Sequence, residues 1–329
     1  MSAHDYEGRV VMVTGAQGFV GSWLSQRLLD AGARVVVLRR DVDPEARFVS
    51  EGIADRCIVA LADLLDYEAM LRVVNEYEVR DVFHLAAQTL VGTANRSPLS
   101  TFDTNIRGTY NLLEACRASA VIGPGTERIV VASSDKAYGS QTDLPYREDS
   151  PLQPRFPYDV SKACADMIAR SYAATWGMPV AVTRLANVYG GGDLNWSRIV
   201  PDTARSLVQG KRPVIRSDGS PERDYLYLDD AVDAYLAVAA SLDNDEYRGR
   251  AWNAGWGEPH SARHVVERLI AVSGREVDPD VQGEGVPHGE IDRQFIDSTA
   301  METELGWRPA VTLDEGLAAS WKWYERWLS

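Results

Sequence analysis

Three residues near the middle of the chain offer the first recognisable chemistry. Tyr158-Asp-Val-Ser-Lys162 sets a phenol and an ammonium four positions apart, so on a helix they share one face. A neighbouring ammonium favours the tyrosinate and is expected to lower the Tyr158 pKa. Such a group can take a proton from a substrate hydroxyl and return it. The spacing alone is common by chance and is equally met by a half-buried tyrosine and a surface lysine. What singles it out is its place one strand after Ser133-Ser134-Asp135-Lys136, where Ser134 can hydrogen-bond the same substrate oxygen.

A second pattern supplies the partner reaction. Val13-Thr-Gly-Ala-Gln-Gly-Phe-Val-Gly21 follows an apolar run and opens a helical one. Gly15 permits a tight turn, Gly18 lets a pyrophosphate approach the backbone, and Gly21 lets helix and strand pack closely. The helix opened by Phe19 and Val20 turns its N-terminus to the phosphate charge. The loop predicts a dinucleotide, so proton exchange at Tyr158 can accompany hydride passage between a sugar carbon and nicotinamide. An acid ending the second strand would bind the ribose 2′-OH, but Arg39 stands there, followed by Arg40 and Asp41. Arg39 and Arg40 can neutralise a 2′-phosphate, stack on adenine or simply be solvated, which leaves NAD and NADP both open. Asp63 and Leu64, after the third strand, fall where the adenine would lie.

These residues need a scaffold. Short β-branched runs over 9–14, 34–38, 57–61, 81–86, 128–133 and 180–184 alternate with helical patterns over 21–31, 67–76, 105–118 and 161–176. Continuous apolar strands separated by helices predict an α/β, Rossmann-type doubly wound parallel sheet. Ligands bind such sheets at the carboxyl ends of the strands, where every pattern above sits. After Asn187, Gly, Pro, Trp and Tyr increase and the elements shorten, which predicts a smaller, mostly C-terminal mixed α/β lobe. Residues 225–240 are expected to return to the first domain as a strand and a helix. The expected division is a dinucleotide domain over 1–186 plus about 224–252, and a substrate lobe over about 187–223 and 253–329.

Of 329 residues, 45% are hydrophobic, enough for a large core. Lys plus Arg number 34 against 48 Asp plus Glu, a net charge of −14 that disfavours nucleic acid as a partner. In so acidic a chain, arginines near a cleft are candidate diphosphate ligands, because a diphosphate needs charge-assisted donors. Arg216, Arg223 and Arg293 are those candidates; singly, each also fits a surface ion pair. No metal site is expected from the spacing of the five histidines. No apolar stretch reaches the ~20 residues of a membrane span. Cys57, Cys116 and Cys164 form no C-x-x-C pair, and with no signal peptide evident a reducing cytoplasm is expected.

The glycine loop, Ser134, Tyr158 and Lys162 resemble those of the extended short-chain dehydrogenase/reductases, which include nucleotide-sugar epimerases and dehydratases. The resemblance runs almost to the end, through Leu305-Gly-Trp-Arg-Pro309 and Trp323-Tyr324. Several segments are similar to the CDP-glucose 4,6-dehydratases. They are Gly21-Ser-Trp-Leu24, His84-Leu-Ala-Ala-Gln-Thr-Leu-Val91, Thr104-Asn-Ile-Arg-Gly-Thr109, Ser134-Asp-Lys136, and Gly190-Gly-Gly-Asp193 with Arg198-Ile-Val-Pro-Asp202. The resemblance implies NAD+ retained and recycled, with NADP+ the alternative, and a nucleoside-diphosphate sugar as substrate. It implies cofactor contacts at Leu85, Ala86, Ala87, Asn105, Tyr158 and Lys162. Sugar-nucleotide contacts are implied at Gln88, Asn187, Arg198, Arg216 and Arg223. It also implies a homodimer through helices 105–118 and 161–176.

Asp135 and Lys136 bear on the reaction. A 4,6-dehydratase oxidises C4, removes the C5 proton, expels the C6 hydroxyl and returns hydride to C6. That elimination needs an acid and a base close together, roles that Asp135 and Lys136 can fill. In the dehydratases this chain resembles, the acidic residue protonates the leaving group and its neighbour, Glu or Lys, is implicated at C5. A 4-epimerase of the UDP-glucose or UDP-glucuronate type needs neither and commonly has small neutral residues there. Ala137-Tyr138-Gly139 and Leu144–Pro151 are nevertheless epimerase-like. The expectation is a dehydratase first and a 4-epimerase second. A non-catalytic dinucleotide-binding regulator would commonly lack Tyr158 or Lys162.

Overall fold

Apolar strands buried on both faces alternate with helices from the start of the chain. The computed structural model describes residues 6–285 and 291–329. The first six strands are β1 (Val10–Thr14), β2 (Arg34–Arg39), β3 (Ile58–Leu61), β4 (Asp81–His84), β5 (Arg128–Ala132) and β6 (Val180–Leu185). The first helices are α1 (Phe19–Asp30), α2 (Arg47–Ser50), α3 (Tyr67–Glu76), α4 (Val91–Arg96), α5 (Pro98–Phe102), α6 (Gly108–Ile122) and α7 (Pro157–Trp176).

All the pairings among these six strands are parallel, in register Val11↔Val35 between β1 and β2 and Met12↔Val82 between β1 and β4. Side chains alternate across a strand, so Val11 and Val13 meet Leu24 and Leu28 of α1. Met12 and Val82 face Met70, Val73 and Leu112 on the other side. Each such fully buried leucine contributes about 1.5–3 kcal/mol. The chain crosses from one side of β1 to the other between β3 and β4, which opens a crevice at the carboxyl ends of β1 and β4. The helix expected over 105–118 starts later: residues 103–107 form a π-helical turn ahead of α6.

Beyond β6 come β7 (Asn187–Tyr189), α8 (Ile199–Val208), β8 (Val214–Ile215), β9 (Glu222–Tyr227), α9 (Leu228–Ser241) and β10 (Ala251–Ala254). They are followed by β11 (Pro259–Ser261), α10 (Ala262–Ser273), β12 (Asp280–Val281), β13 (Arg293–Gln294), α11 (Thr299–Leu305) and α12 (Leu313–Leu328). Strands β7, β9, β11 and β13 form a separate four-stranded sheet. Helices α8, α10 and α12 bury Val200, Leu207, Leu269, Leu317 and Trp321 in a core of their own.

The structure corrects one expectation here. The strand after Arg223 does not join the main sheet: β9 pairs with β7, β11 and β13, and only α9 returns, to pack against α1. The place beside β6 is taken by β10, giving the order β10-β6-β5-β4-β1-β2-β3. Which segment finds the free edge depends on connections that a local pattern does not encode. Among the described residues, no helix is long and apolar enough to cross a membrane.

Candidate active site

A cleft of about 1530 Å³ runs along the carboxyl edge of the main sheet and beneath the smaller lobe. Its first wall is the glycine turn. Gly15 has φ +75°, and a Cβ there would lie 2.7 Å from the Ala86 amide nitrogen. A Cβ on Gly21 would lie 2.2 Å from the Gly15 carbonyl, so α1 packs on the turn as closely as backbone allows. Gly18 caps α1 without a side-chain cap, and the first turn carries no acid, which leaves those amides for an anion. A pyrophosphate fits this cradle. Phe19, Val20, Asp63 and Leu64 also line the cleft, as do Leu85, Ala86 and Ala87. Arg40 lines it too, paired with Asp41 at 2.9 Å. Arg39 is half-buried and is not among the lining residues.

The second wall carries Ser134, Lys136, Tyr158 and Lys162. Proline at the first position of α7 presets the helix, and Tyr158 and Lys162 follow one turn apart. The buried Lys162 ammonium donates to the Ala132 carbonyl at the end of β5, and burial pushes its pKa down to about 8 against the pull of Asp166. Burial pushes the Tyr158 phenol up to about 12, opposed by the Arg198 charge. The expected lowering of the Tyr158 pKa is therefore reversed. Lys162 turns its ammonium to a backbone carbonyl, and loss of solvent outweighs the nearby positive charge.

Ser134 Oγ donates to Asp135 Oδ1 at 3.0 Å and accepts from the Lys136 amide at 3.2 Å. Asp135 is 2% exposed, and burial raises its pKa against the Lys136 charge beside it. Its Oδ2 is buried without a partner among the described residues. Asp135 is not itself among the lining residues; it sits behind Ser134, while Lys136 reaches the cleft.

The structure relocates three further candidates. Asn105 is buried in the π-helical turn, where Nδ2 donates to the Gln88 carbonyl at 3.0 Å and to Ser161 Oγ at 2.9 Å. Its Oδ1 accepts from the Gln88 amide at 2.7 Å. Gln88 in turn donates to the Leu90 carbonyl at 3.2 Å. Neither is a lining residue; they brace the loop whose Ala86 and Ala87 are. Arg293, beside Glu222 in the β13–β9 pairing, bonds Glu222 at 2.7 Å and also lies outside the lining.

Asn187, Arg198, Arg216 and Arg223 do line the cleft. Arg198 meets Asp193 at 3.1 Å, and Arg216 meets Asp202 at 2.8 Å, a carboxylate shared with Arg205 at 2.6 Å. Arg223 donates to the carbonyls of Glu222 at 2.8 Å and Asp292 at 3.2 Å. Sequence reasoning missed Thr14, Asp193, Tyr225 and Tyr235, which line the cleft, and gave no separate role to His84. Thr14 was within reach, as the last residue of the first strand. Asp193 and Asp202 were not, because their partnerships depend on how the lobe folds back.

The whole chain can be set against known proteins. Residues 12–320 match the GDP-mannose 4,6 dehydratase family. The chain belongs to this family. It is an extended short-chain dehydrogenase/reductase, an enzyme of the dehydratase and 4-epimerase types found among its relatives. It is 29% identical to the CDP-glucose 4,6-dehydratase of Salmonella typhimurium, over 98% of this chain and 92% of that one. It is 30% identical to the UDP-glucose 4-epimerase of Mycolicibacterium smegmatis, over 93% of this chain and 96% of that one. The dTDP-glucose 4,6-dehydratase of Streptomyces venezuelae, solved with NAD bound, superposes with a TM-score of 0.84 at 28% identity, covering 96% of this chain and 97% of that one.

Proposed function

We propose that this enzyme is a nucleotide-sugar 4,6-dehydratase that yields a 4-keto-6-deoxy sugar from a nucleoside-diphosphate hexose. The main-sheet domain holds a dinucleotide along the glycine turn, and the smaller lobe holds the sugar nucleotide. The observation that carries the reading is the buried Asp135 carboxyl, its pKa raised and one oxygen unpartnered, directly behind Ser134 and next to Lys136. Burial, by raising the pKa of this carboxyl, favours the form that gives a proton to a departing hydroxyl.

A nicotinamide dinucleotide held along the glycine turn would supply the hydride acceptor for C4 and the hydride donor for C6. Tyr158 takes the O4 proton as hydride leaves C4 and passes it to solvent, since O4 remains a ketone in the product, and Ser134 hydrogen-bonds the same oxygen. Lys136, which lines the cleft, accepts the C5 proton and returns one to C5 after hydride has reached C6, and Asp135, once its side chain turns past Ser134 into the cleft, gives a proton to the leaving O6 as water. Arg198, Arg216 and Arg223 hold the diphosphate. Each is already engaged, so the phosphates would replace carboxylates or join carbonyls as acceptors. NAD is the cofactor favoured over NADP, because Arg40 is held by Asp41, Asp43 lines the same edge and Arg39 lies off the cleft. Carboxylates there would repel a 2′-phosphate.

A UDP-glucose 4-epimerase stands among the relatives at 30% identity; 4-epimerisation begins with the same oxidation at C4 but involves no elimination, so here it would need neither Asp135 nor Lys136. Asp135→Asn and Lys136→Met separate the two. For a dehydratase, each variant oxidises C4 and stalls, so reduced cofactor accumulates and absorbs near about 340 nm. Solvent deuterium enters C5 in the wild-type product and much less in Lys136→Met. An active double mutant with no exchange at C5 would overturn the dehydratase and leave the epimerase.

A homodimer belongs to the same proposal. Tyr110 and Val121 of α6 and Met167 and Trp176 of α7 are exposed, which suits two-fold pairing of these helices. Light scattering should show twice the chain mass at micromolar concentration. The three free cysteines fit a reducing cytoplasm.

A further inference from the structure

His84 ends β4 beneath the cleft, 3% exposed, and the reaction as proposed does not use it. Both its ring nitrogens are hydrogen-bonded, Nδ1 to Thr14 Oγ1 at 2.8 Å and Nε2 to Thr109 Oγ1 at 2.9 Å. The surroundings fix which nitrogen carries the proton. Thr109 donates its own hydroxyl to the Asn105 carbonyl at 2.6 Å, so its oxygen is left to accept from His84. Nε2 must then bear the hydrogen, and Nδ1 must accept. Thr14 supplies the hydrogen to Nδ1, and its oxygen accepts the Ala86 amide at 3.2 Å. Every link thus points one way: Ala86 N–H to Thr14, Thr14 to His84, His84 to Thr109, Thr109 to the Asn105 carbonyl.

The chain has a branch at Asn105. The Asn105 amide donates to Ser161 Oγ at 2.9 Å, and Ser161 donates to the Tyr158 carbonyl at 2.6 Å. One end of the network therefore holds the amide of Ala86, against which the glycine turn is packed. The other end holds the first turn of the helix that bears Tyr158 and Lys162.

We infer that His84, fixed as its neutral Nε2–H tautomer, is a positioning residue that sets the dinucleotide turn against the Tyr158 helix. Burial, with the Lys162 charge as a second cause, holds its pKa down to about 3, so the imidazole stays neutral. An imidazolium would have to donate at Nδ1, where Thr14 has its only hydrogen directed, and would break the chain at that link. The tautomer follows from the hydrogen bonds alone; its effect on the dinucleotide rests on the cofactor site proposed above.

Nitrogen-15 NMR on histidine-labelled enzyme tests the first half, with His84→Gln identifying its signals among the five histidines. The expected pattern is a protonated Nε2 and a bare Nδ1, unchanged between about pH 8 and 5. A protonated Nδ1, or titration near the ordinary value of about 6.5, overturns the inference. Thr109→Val tests the second half, since it keeps the volume, removes the acceptor of Nε2–H and lies outside the cleft lining. Dinucleotide affinity by calorimetry should fall about tenfold, with kcat falling more than the KM for sugar nucleotide changes. Wild-type affinity and kcat in a cooperatively folded Thr109→Val overturn the inference. Wild-type enzyme that binds no dinucleotide sinks the cofactor site itself and, with it, this role for His84.

Discussion

The two walls of the cleft are built on different principles. The wall at the sheet edge is mostly backbone: a glycine turn, helix amides and a buried neutral chain through Thr14, His84 and Thr109. The side chains of that network are hydrogen-bonded before any ligand arrives, and the first amides of α1 are left for an anion. The wall under the smaller lobe is mostly charge, with Arg198 on Asp193 and Arg216 on Asp202. There the ligand must compete with carboxylates already in place. A backbone cradle discriminates by shape and tolerates no added atom. A set of paired arginines can exchange partners and tolerates the loss of one.

The largest effect is expected on the backbone side. Gly18 has φ −69°, open to any residue, and a Cβ would lie 3.1 Å from the Gly15 carbonyl. Gly18→Val should therefore fold and yet lose dinucleotide binding, because its branches occupy the place of the pyrophosphate. Normal binding by calorimetry would show that the cradle is misassigned. Tyr158→Phe comes next. It should reduce turnover at least ~10²-fold with little change in sugar-nucleotide affinity, and near-normal turnover would exclude Tyr158 as the O4 base.

On the charged side, Arg216→Met should raise the KM for the sugar nucleotide roughly tenfold and leave kcat within a few-fold, since its loss removes binding shared by ground and transition states. An unchanged KM would show that Arg216 serves only Asp202. Lys162 offers a test on stability. Its folded pKa of about 8 lies below the unfolded value of about 10.4. Below 8 both states are protonated and the cost of burying the ammonium is present in full. From 8 to about 10.4 the unfolded chain binds more protons, so the folded state gains as pH rises. Lys162→Met should melt above the wild type at pH 7, and that gap should shrink toward pH 10; a gap independent of pH would show that Lys162 is not strained by burial. The smallest effect is expected from Arg293→Ala. Its pair with Glu222 is at the surface, so KM and kcat should stay within about twofold, and a larger rise in KM would bring Arg293 back to the diphosphate.

The sheet-edge wall was legible because its logic is local. Gly15, Gly18 and Gly21 are spaced for a turn and a helix start, and Tyr158 and Lys162 for one helical face. The strands β1 to β6 showed themselves as apolar runs for the same reason. Where the reading failed, the decisive contact came from far away. Lys162 was expected to act on Tyr158, but its ammonium reaches Ala132, thirty positions back on β5. Gln88 and Asn105 were expected in the cleft, but they pair with each other and brace the loop from behind.

By itself the sequence determined the Rossmann-type sheet, the close glycine turn after β1 and the helical spacing that sets Tyr158 and Lys162 one turn apart. Period, glycine spacing and helix geometry act within a few residues and so are written along the chain. Tertiary structure alone decided that β10 rather than β9 extends the main sheet, that Asp135 is buried behind Ser134, and that Arg198, Arg216 and Arg223 each have a partner. Burial and ion pairing are properties of three-dimensional neighbourhoods. The raised pKa of Asp135, on which the proposed elimination draws, comes from the solvent it has lost, and no spacing along the chain records that loss.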